Sequence, residues 1–298
     1  MLSNIVVASD GCEASDRMVE CVKGLQRVGS QQAVLVHVFN VRDVGGLYAS
    51  LQEYMLPKLE KQAEVLRQAG FQVEVQTPLG FPAYEINKLA RERSASLVVV
   101  GSHGASMAKD RLLGSTAQAL LYHLTFPTLL VRFEITEENG GRRCRVICED
   151  MFQHILFPTD FSDNAELALL YLEHIVRETK SHVTLLHVQD KTKIEKHLKH
   201  RLEEFNEIDA ERLEGMKARI EQCGAASVET EIPYGSPTQI ILERARSNSF
   251  SLILMGSQGK GFIQEVFLGS VANNVARLAP LPVLFIPAPG THESPHGL

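Results

Sequence analysis

Short apolar runs alternate along this chain with longer segments whose apolar residues recur at helical spacing. Ile5-Val6-Val7-Ala8 is followed by Met18, Val19, Val22 and Leu25 on one helical face, and Ala33 to Val38 forms a second run. Leu51, Met55, Leu59, Ala63 and Leu66 then repeat at helical spacing before the strand-like stretch Phe71 to Val75. Pro57 lies inside that helical segment, where it either kinks the helix or sets its first full turn. Gly80-Phe81-Pro82 opens a helix through Ile86, Leu89 and Ala90, and the apolar run Val98-Val99-Val100 follows. Such short β-branched runs, bounded by turn residues, suit strands buried on both faces of a parallel sheet.

From His154 the same order restarts. Ile155-Leu156-Phe157-Pro158 precedes a helix carrying Leu167, Leu170 and Ile175, and Val183 to Val188 is the next run. A charged helix over about 193–222, a strand at 228–232, and a helix opened by Gly235-Ser236-Pro237 lead to Leu252-Ile253-Leu254-Met255. Asp10 and Asp160 differ by 150 positions, as do His37 and His187, while Pro82 and Pro237, Gly101 and Gly256, and Pro127 and Pro282 differ by 155. One five-residue difference therefore aligns two whole copies. The copies are expected at 1–134 and 153–289, with a linker at 135–152 around the polar turn Glu137 to Arg143 and a tail at 290–298. Alternating strands and helices predict an α/β fold, with each copy a doubly wound parallel sheet covered by helices on both faces. Such sheets bind ligands beyond the carboxyl ends of their strands.

The residues at those ends carry the chemistry. The run to Met255 is followed by Gly256-Ser257-Gln258-Gly259, nine residues, then Gly269-Ser270 at a helix start; the run to Val100 is followed by Gly101-Ser102-His103-Gly104, nine residues, then Gly114-Ser115. With 21 glycines in 298 residues, three at this spacing arise by chance about 0.1 times, so two copies in register mark a real feature. A helix start offers unpaired N–H groups, and glycines let the backbone approach an anion, so both loops are candidate phosphate sites. The pattern lacks the Gly-Lys-Ser/Thr end of a P-loop and does not follow the first strand as a dinucleotide fingerprint does.

A balance of 44% hydrophobic and 22% charged residues is that of a globular protein with two ordinary cores. The net charge of −6 and the absence of a basic run interleaved with aromatics disfavour nucleic acid. No apolar stretch reaches membrane-spanning length and the N-terminus lacks the basic region of a signal peptide, so a cytoplasmic protein is expected. The five cysteines, Cys12, Cys21, Cys144, Cys148 and Cys223, are too sparse for a disulfide scaffold, and free thiols are the expectation. Cys144 and Cys148 as a redox pair, Cys12 as an activated thiolate, and His197 with His200 as metal ligands are minor alternatives.

These residues resemble the universal stress proteins in their tandem two-domain form. The carriers are Phe157-Pro158-Thr159-Asp160-Phe161-Ser162, Leu186-His187-Val188, Gly235-Ser236-Pro237, Met255 to Gly259 and Leu268-Gly269-Ser270-Val271, with their counterparts in the first half. The resemblance implies two five-stranded sheets of order 3-2-1-4-5, each with an adenine nucleotide (ATP, ADP or AMP) at its switch point, and Mg2+ as the companion of ATP. By position, Asp160 and Asp10 would meet the adenosine part, flanked by Pro158 and Thr159 or Ala8 and Ser9, and the backbone of Val188 and Val38 would read the adenine edge. Gly256, Gly259, Gly269 and Ser270, or Gly101, Gly104, Gly114 and Ser115, would cradle the phosphates, with His103 a further phosphate contact and Met255, Gln258, Val271 and Thr116 further nucleotide-binding candidates. In that strand order the last strands, around 128–131 and 283–286, are apolar sheet edges that need covering, so an internal pseudo-dimer through them is expected, as the resemblance also implies, with a further homodimer as an additional partner.

The halves depart from the pattern differently, with Ala8-Ser9 against Pro158-Thr159 and His103 against Gln258. His103, Lys109 and Arg111 against Asp110 in the first loop, and Lys260 against Glu265 in the second, predict that both halves bind and that the first gains more from each added phosphate. His37 and His187 read as satisfied histidines within apolar runs. Asp110 and Glu265 stand at matching positions of the glycine loops, but neither loop pairs its one carboxylate with a positioned base, so regulatory binding outranks turnover. A weak ATP-hydrolysing or nucleotidyl-transferring enzyme of the same fold, and an apo interaction module, are the alternatives.

Overall fold

The computed structural model describes residues 1–103, 113–138, 141–146, 150–194, 199–247, 249–260 and 268–289. The chain divides into two units, Met1–Glu149 and Asp150–Leu298.

The first unit opens with β1 (Asn4–Ala8), α1 (Glu13–Val22) and β2 (Gln32–Val36). A two-residue strand β3 (Phe39–Asn40), the short α2 (Val41–Val44) and the long α3 (Tyr48–Gln68) lead to β4 (Gln72–Gln76). After β5 (Leu79–Gly80) come α4 (Pro82–Glu92), β6 (Leu97–Gly101), α5 (Ser115–Tyr122) and β7 (Thr128–Val131). β1 pairs in parallel with β2 and with β6, β2 with β4, and β6 with β7, so the sheet reads β4-β2-β1-β6-β7. The winding reverses between β1 and β6, which leaves a crevice at their carboxyl ends. Ile5, Val6 and Val7 of β1 and Leu97 to Val100 of β6 are buried, as a strand covered on both faces requires. Each such side chain contributes on the order of 1.5–3 kcal/mol.

Beyond β7 the chain forms an antiparallel hairpin, β8 (Phe133–Glu138) and β9 (Gly141–Val146), in a segment whose polar turn reads as a linker. β9 lies against α1.

The second unit repeats the plan with β10 (His154–Pro158), α6 (Asp163–Thr179) and β11 (His182–Leu186). Then follow β12 (Gln189–Asp190), α7 (Lys191–Ile194), α8 (Leu202–Gln222), β13 (Ser227–Glu231) and β14 (Tyr234–Gly235). α9 (Pro237–Ala245), β15 (Leu252–Gly256), α10 (Ser270–Leu278) and β16 (Val283–Ile286) complete it. Its parallel pairings give the order β13-β11-β10-β15-β16, with Phe157 and Phe285 fully buried on β10 and β16.

The first helices differ in a way their sequences explain. α6 has Ser162 as N-cap, its side chain accepting from Ala165 N, and runs for 17 residues to Lys180. α1 has Cys12 as N-cap with no side-chain bond and passes after 10 residues into a 3-10 turn that ends at Gly29 with φ 90°. Pro82 and Pro237 sit in the first turn of α4 and α9, where the missing N–H costs nothing, whereas Pro57 is inside α3. No helix among the described residues is long and apolar enough to cross a membrane.

Candidate functional site

In both units the first strand ends in the same tight turn, built by the aspartate after it. Asp160 Oδ1 accepts from Ser162 N at 3.1 Å and Asp10 Oδ1 accepts from Cys12 N at 3.1 Å. The hydroxyls one residue earlier do likewise: Thr159 Oγ1 accepts from Phe161 N, and Ser9 Oγ from Gly11 N. The residue between is left-handed, Gly11 at φ 67° and Phe161 at φ 57°. Glycine takes this conformation freely, but phenylalanine does not. The Phe161 ring is held in compensation, 4.5 Å from the His187 ring and beneath the Arg212 guanidinium at 4.4 Å.

The glycine loops start where β6 and β15 end. Ser102 N and Ser257 N donate to the last residues of the neighbouring strands, Val131 O and Ile286 O, at 2.8 and 2.9 Å. Gly114 N and Gly269 N return to Ser102 O and Ser257 O at 2.7 and 2.8 Å, closing each loop. Gly114 and Gly269 are the N-caps of α5 and α10 and supply no side-chain cap, so the first-turn N–H groups stay available to an incoming acceptor. At Gly269 and Gly259 the constraint is space, not φ. A Cβ on Gly269 would stand 3.2 Å from Ser257 O, and one on Gly259 would run into Asp160 Oδ2.

In the second unit Asp160 Oδ2 accepts from Lys260 N at 2.8 Å, so one carboxylate spans from the α6 turn to the glycine loop. Asn164, buried near the start of α6, does the same from below. Its Nδ2 donates to Ile286 O at 3.1 Å and Pro287 O at 2.9 Å, and its Oδ1 accepts from Gln258 N at 2.9 Å. His187 is satisfied on both sides, with Nδ1 2.9 Å from Thr159 O and Nε2 3.3 Å from Asp209 Oδ2. Asp209 also accepts from Gln189 Nε2 at 2.7 Å.

The first unit builds its floor differently. His37 Nδ1 lies 2.9 Å from Ser9 O, and burial pushes the pKa of this imidazole below its usual value. Gln62 of α3, fully buried, accepts from Ser9 Oγ at 2.6 Å and donates to Asp16 Oδ1 at 2.6 Å.

Each unit therefore has a cavity at its switch point. The first, about 180 Å3, is lined by Ala8, Ser9, Asp10, Val38, Gly101, His103, Gly114, Ser115 and Thr116, together with Phe133. The second, about 630 Å3, is lined by Pro158, Thr159, Asp160, Val188, Met255, Gly256, Gln258, Gly259, Gly269, Ser270 and Val271, with His187, Phe205 and Asp209 added. These are the residues singled out at the strand ends. Gly104, Lys109, Asp110, Arg111 and Glu265 lie outside the described residues, as do Cys148, His197, the tail from 290 on and the side chain of Cys144. Sequence reasoning missed Asn164, Asp209, Gln62 and Phe133. For two of them the repeat register held a signal, because Asn164 faces Ala14 across the copies and Phe133 faces Ala288.

The cysteines require a correction. Cys21 on α1 is disulfide-bonded, its partner lying outside the described side chains, while Cys12 and Cys223 are free. Spacing along the chain does not reveal a pairing that tertiary packing creates. Cys12 is no activated thiolate either, since burial and the neighbouring Asp10 push its pKa up to about 11. Among the described residues no group of three or more His, Cys, Asp or Glu side chains is placed to hold a metal ion.

Twin parallel α/β units, each with a glycine loop and a helix start beside a switch-point cavity, define a tandem doubly wound protein. The model of the universal stress protein family matches residues 1–132 and again 151–287, and the chain belongs to that family. A universal stress protein of Methanocaldococcus jannaschii is 34% identical over 155 residues, covering 46% of this chain and 95% of the relative. One from Mycolicibacterium smegmatis is 26% identical over 251 residues, covering 78% of this chain and 80% of the relative. The crystal structure of a universal stress protein from Archaeoglobus fulgidus superimposes with a TM-score of 0.74 at 25% identity, over 96% of this chain and 99% of that one.

Proposed function

We propose that this universal stress protein binds an adenine nucleotide and acts through its occupancy as a regulator, not as a metabolic catalyst. The observation that carries the reading is the convergence of Gly259, Gly269 and Ser270 on a cavity of about 630 Å3 that also holds Asp160 and Val188. That volume lies within the range of small-molecule sites. The glycines and the α10 start suit phosphates, and the strand-end backbone at Val188 suits an uncharged base edge.

Turnover is the weaker reading because the acid–base groups at the cavity are already engaged. Both ring nitrogens of His187 face partners, and both oxygens of Asp160 accept backbone N–H groups. A Mg2+ ion brought with ATP would be held chiefly by phosphate oxygens, since the cavity presents separate carboxylates at Asp160, Asp190 and Asp209 with no cage among them. The test is calorimetric titration with ATP, ADP and AMP, together with analysis of nucleotide released on denaturation. Absence of both heat at millimolar ATP and released nucleotide would exclude the reading.

A further inference from the structure

The two glycine loops have the same spacing but stand on different supports. A Cβ on Gly256 would meet Asn164 Oδ1 at 2.8 Å, and a Cβ on Gly101 would meet Phe133 Cε2 at 2.6 Å. The space over the first loop glycine is thus filled by a buried amide in the second unit and by an aromatic ring in the first. The register of the repeat makes this a reciprocal exchange: Asn164 corresponds to Ala14, and Ala288 corresponds to Phe133.

The exchange has two consequences. In the second unit the Asn164 amide uses both its donor and its acceptor, tying Ile286 O and Pro287 O at the end of β16 to Gln258 N at the head of the loop. At 4% exposure these bonds are screened from water, so the loop backbone is preset for a ligand. Ala14 has no polar group with which to do this in the first unit. There the Phe133 ring lines the cavity, whose volume of about 180 Å3 falls below the roughly 300 Å3 at which small-molecule sites begin. The second cavity, at about 630 Å3, does not.

We infer that nucleotide binding is confined to the second unit, that Asn164 is the positioning residue for its phosphate loop, and that Phe133 is a built-in occupant that closes the first. This rests on the nucleotide reading proposed above. It departs from the charge comparison of the two loops, which predicts binding in both halves, because space acts before charge is felt.

The experiment is titration of the full chain with ATP and, separately, adenosine. Wild type is expected to bind one ATP per chain. Asn164→Ala should weaken ATP at least about tenfold and adenosine less than about threefold, because only the phosphates reach the loop that Asn164 holds. A general loss of fold would instead weaken both ligands alike. Phe133→Ala combined with Ala14→Asn should raise the stoichiometry to two. Two ATP per wild-type chain would overturn the inference, and so would a single site abolished by Asp10→Ala but kept in Asp160→Ala. No ATP in wild type would overturn the nucleotide reading itself, an outcome distinct from either. The wild-type stoichiometry decides even where a variant does not fold.

Discussion

The carboxylate of Asp160 and the backbone of Lys260 meet at 2.8 Å, closing the second glycine loop onto the turn that follows β10. A Cβ on Gly259 would displace the same oxygen. Asp160→Ala and Gly259→Ala therefore remove one contact from its two sides. Each single change is expected to destabilise the second unit by about 1–3 kcal/mol, the cost of leaving a charge-assisted bond unmade. The double variant should fall short of the sum by about 1 kcal/mol. Chemical denaturation of the four proteins measures this, and strict additivity would show that carboxylate and glycine act independently.

His37 supplies a pH dependence of known sign. Burial lowers its folded pKa below the usual 6.5, so the unfolded chain takes up a proton first as the pH falls. The stability it contributes is complete above pH 6.5 and is lost as the pH drops through the folded value. Denaturation midpoints between pH 7.5 and 5 should accordingly fall further for wild type than for His37→Gln. Parallel curves for the two proteins would refute the assignment.

Cys12 lies between Asp10 and the start of α1, and a pKa of about 11 leaves it protonated at neutral pH. Its thiolate fraction is about a hundredfold below that of an ordinary thiol, so alkylation at pH 8 should be slow in the native protein and fast after unfolding. Peptide mapping after timed iodoacetamide treatment reads this residue separately from Cys223. Rapid native modification of Cys12 would contradict the burial argument.

The fold was legible because it rests on local pattern. The runs at 5–8, 98–100, 155–158 and 252–255 lie on strands that pair in parallel, and the offsets of 150 and 155 align the copies in the sequence itself. The glycine loops were legible for the same reason. Asn164 was not: an asparagine in the first turn of a helix reads as an ordinary N-terminal residue, and its partners Ile286 and Pro287 are 122 and 123 positions away. Phe133 escaped notice because an aromatic after a strand reads as the start of a linker, and only packing puts its ring on Gly101. The Cys21 disulfide and the Asp209 contact with His187 are likewise products of tertiary juxtaposition, which periodicity does not encode.

Phe161 sets a side chain's packing against its own backbone strain. At φ 57° its Cβ crowds the following carbonyl, a cost of about 1–2 kcal/mol that Gly11 avoids at the equivalent turn. The ring offsets this by stacking on His187 at 4.5 Å and by receiving Arg212 at 4.4 Å and Lys260 at 5.6 Å over its face. Truncation separates the two effects. Phe161→Ala discards the ring but keeps the Cβ, whereas Phe161→Gly discards both. The glycine variant should therefore be the more stable of the two by about 1 kcal/mol, although alanine is ordinarily the better residue in a folded chain. Both should lie below wild type if the ring contacts outweigh the strain. Guanidinium denaturation of the three proteins measures the order, and an alanine variant as stable as the glycine one would mean that the turn relaxes out of the left-handed region once the ring is gone.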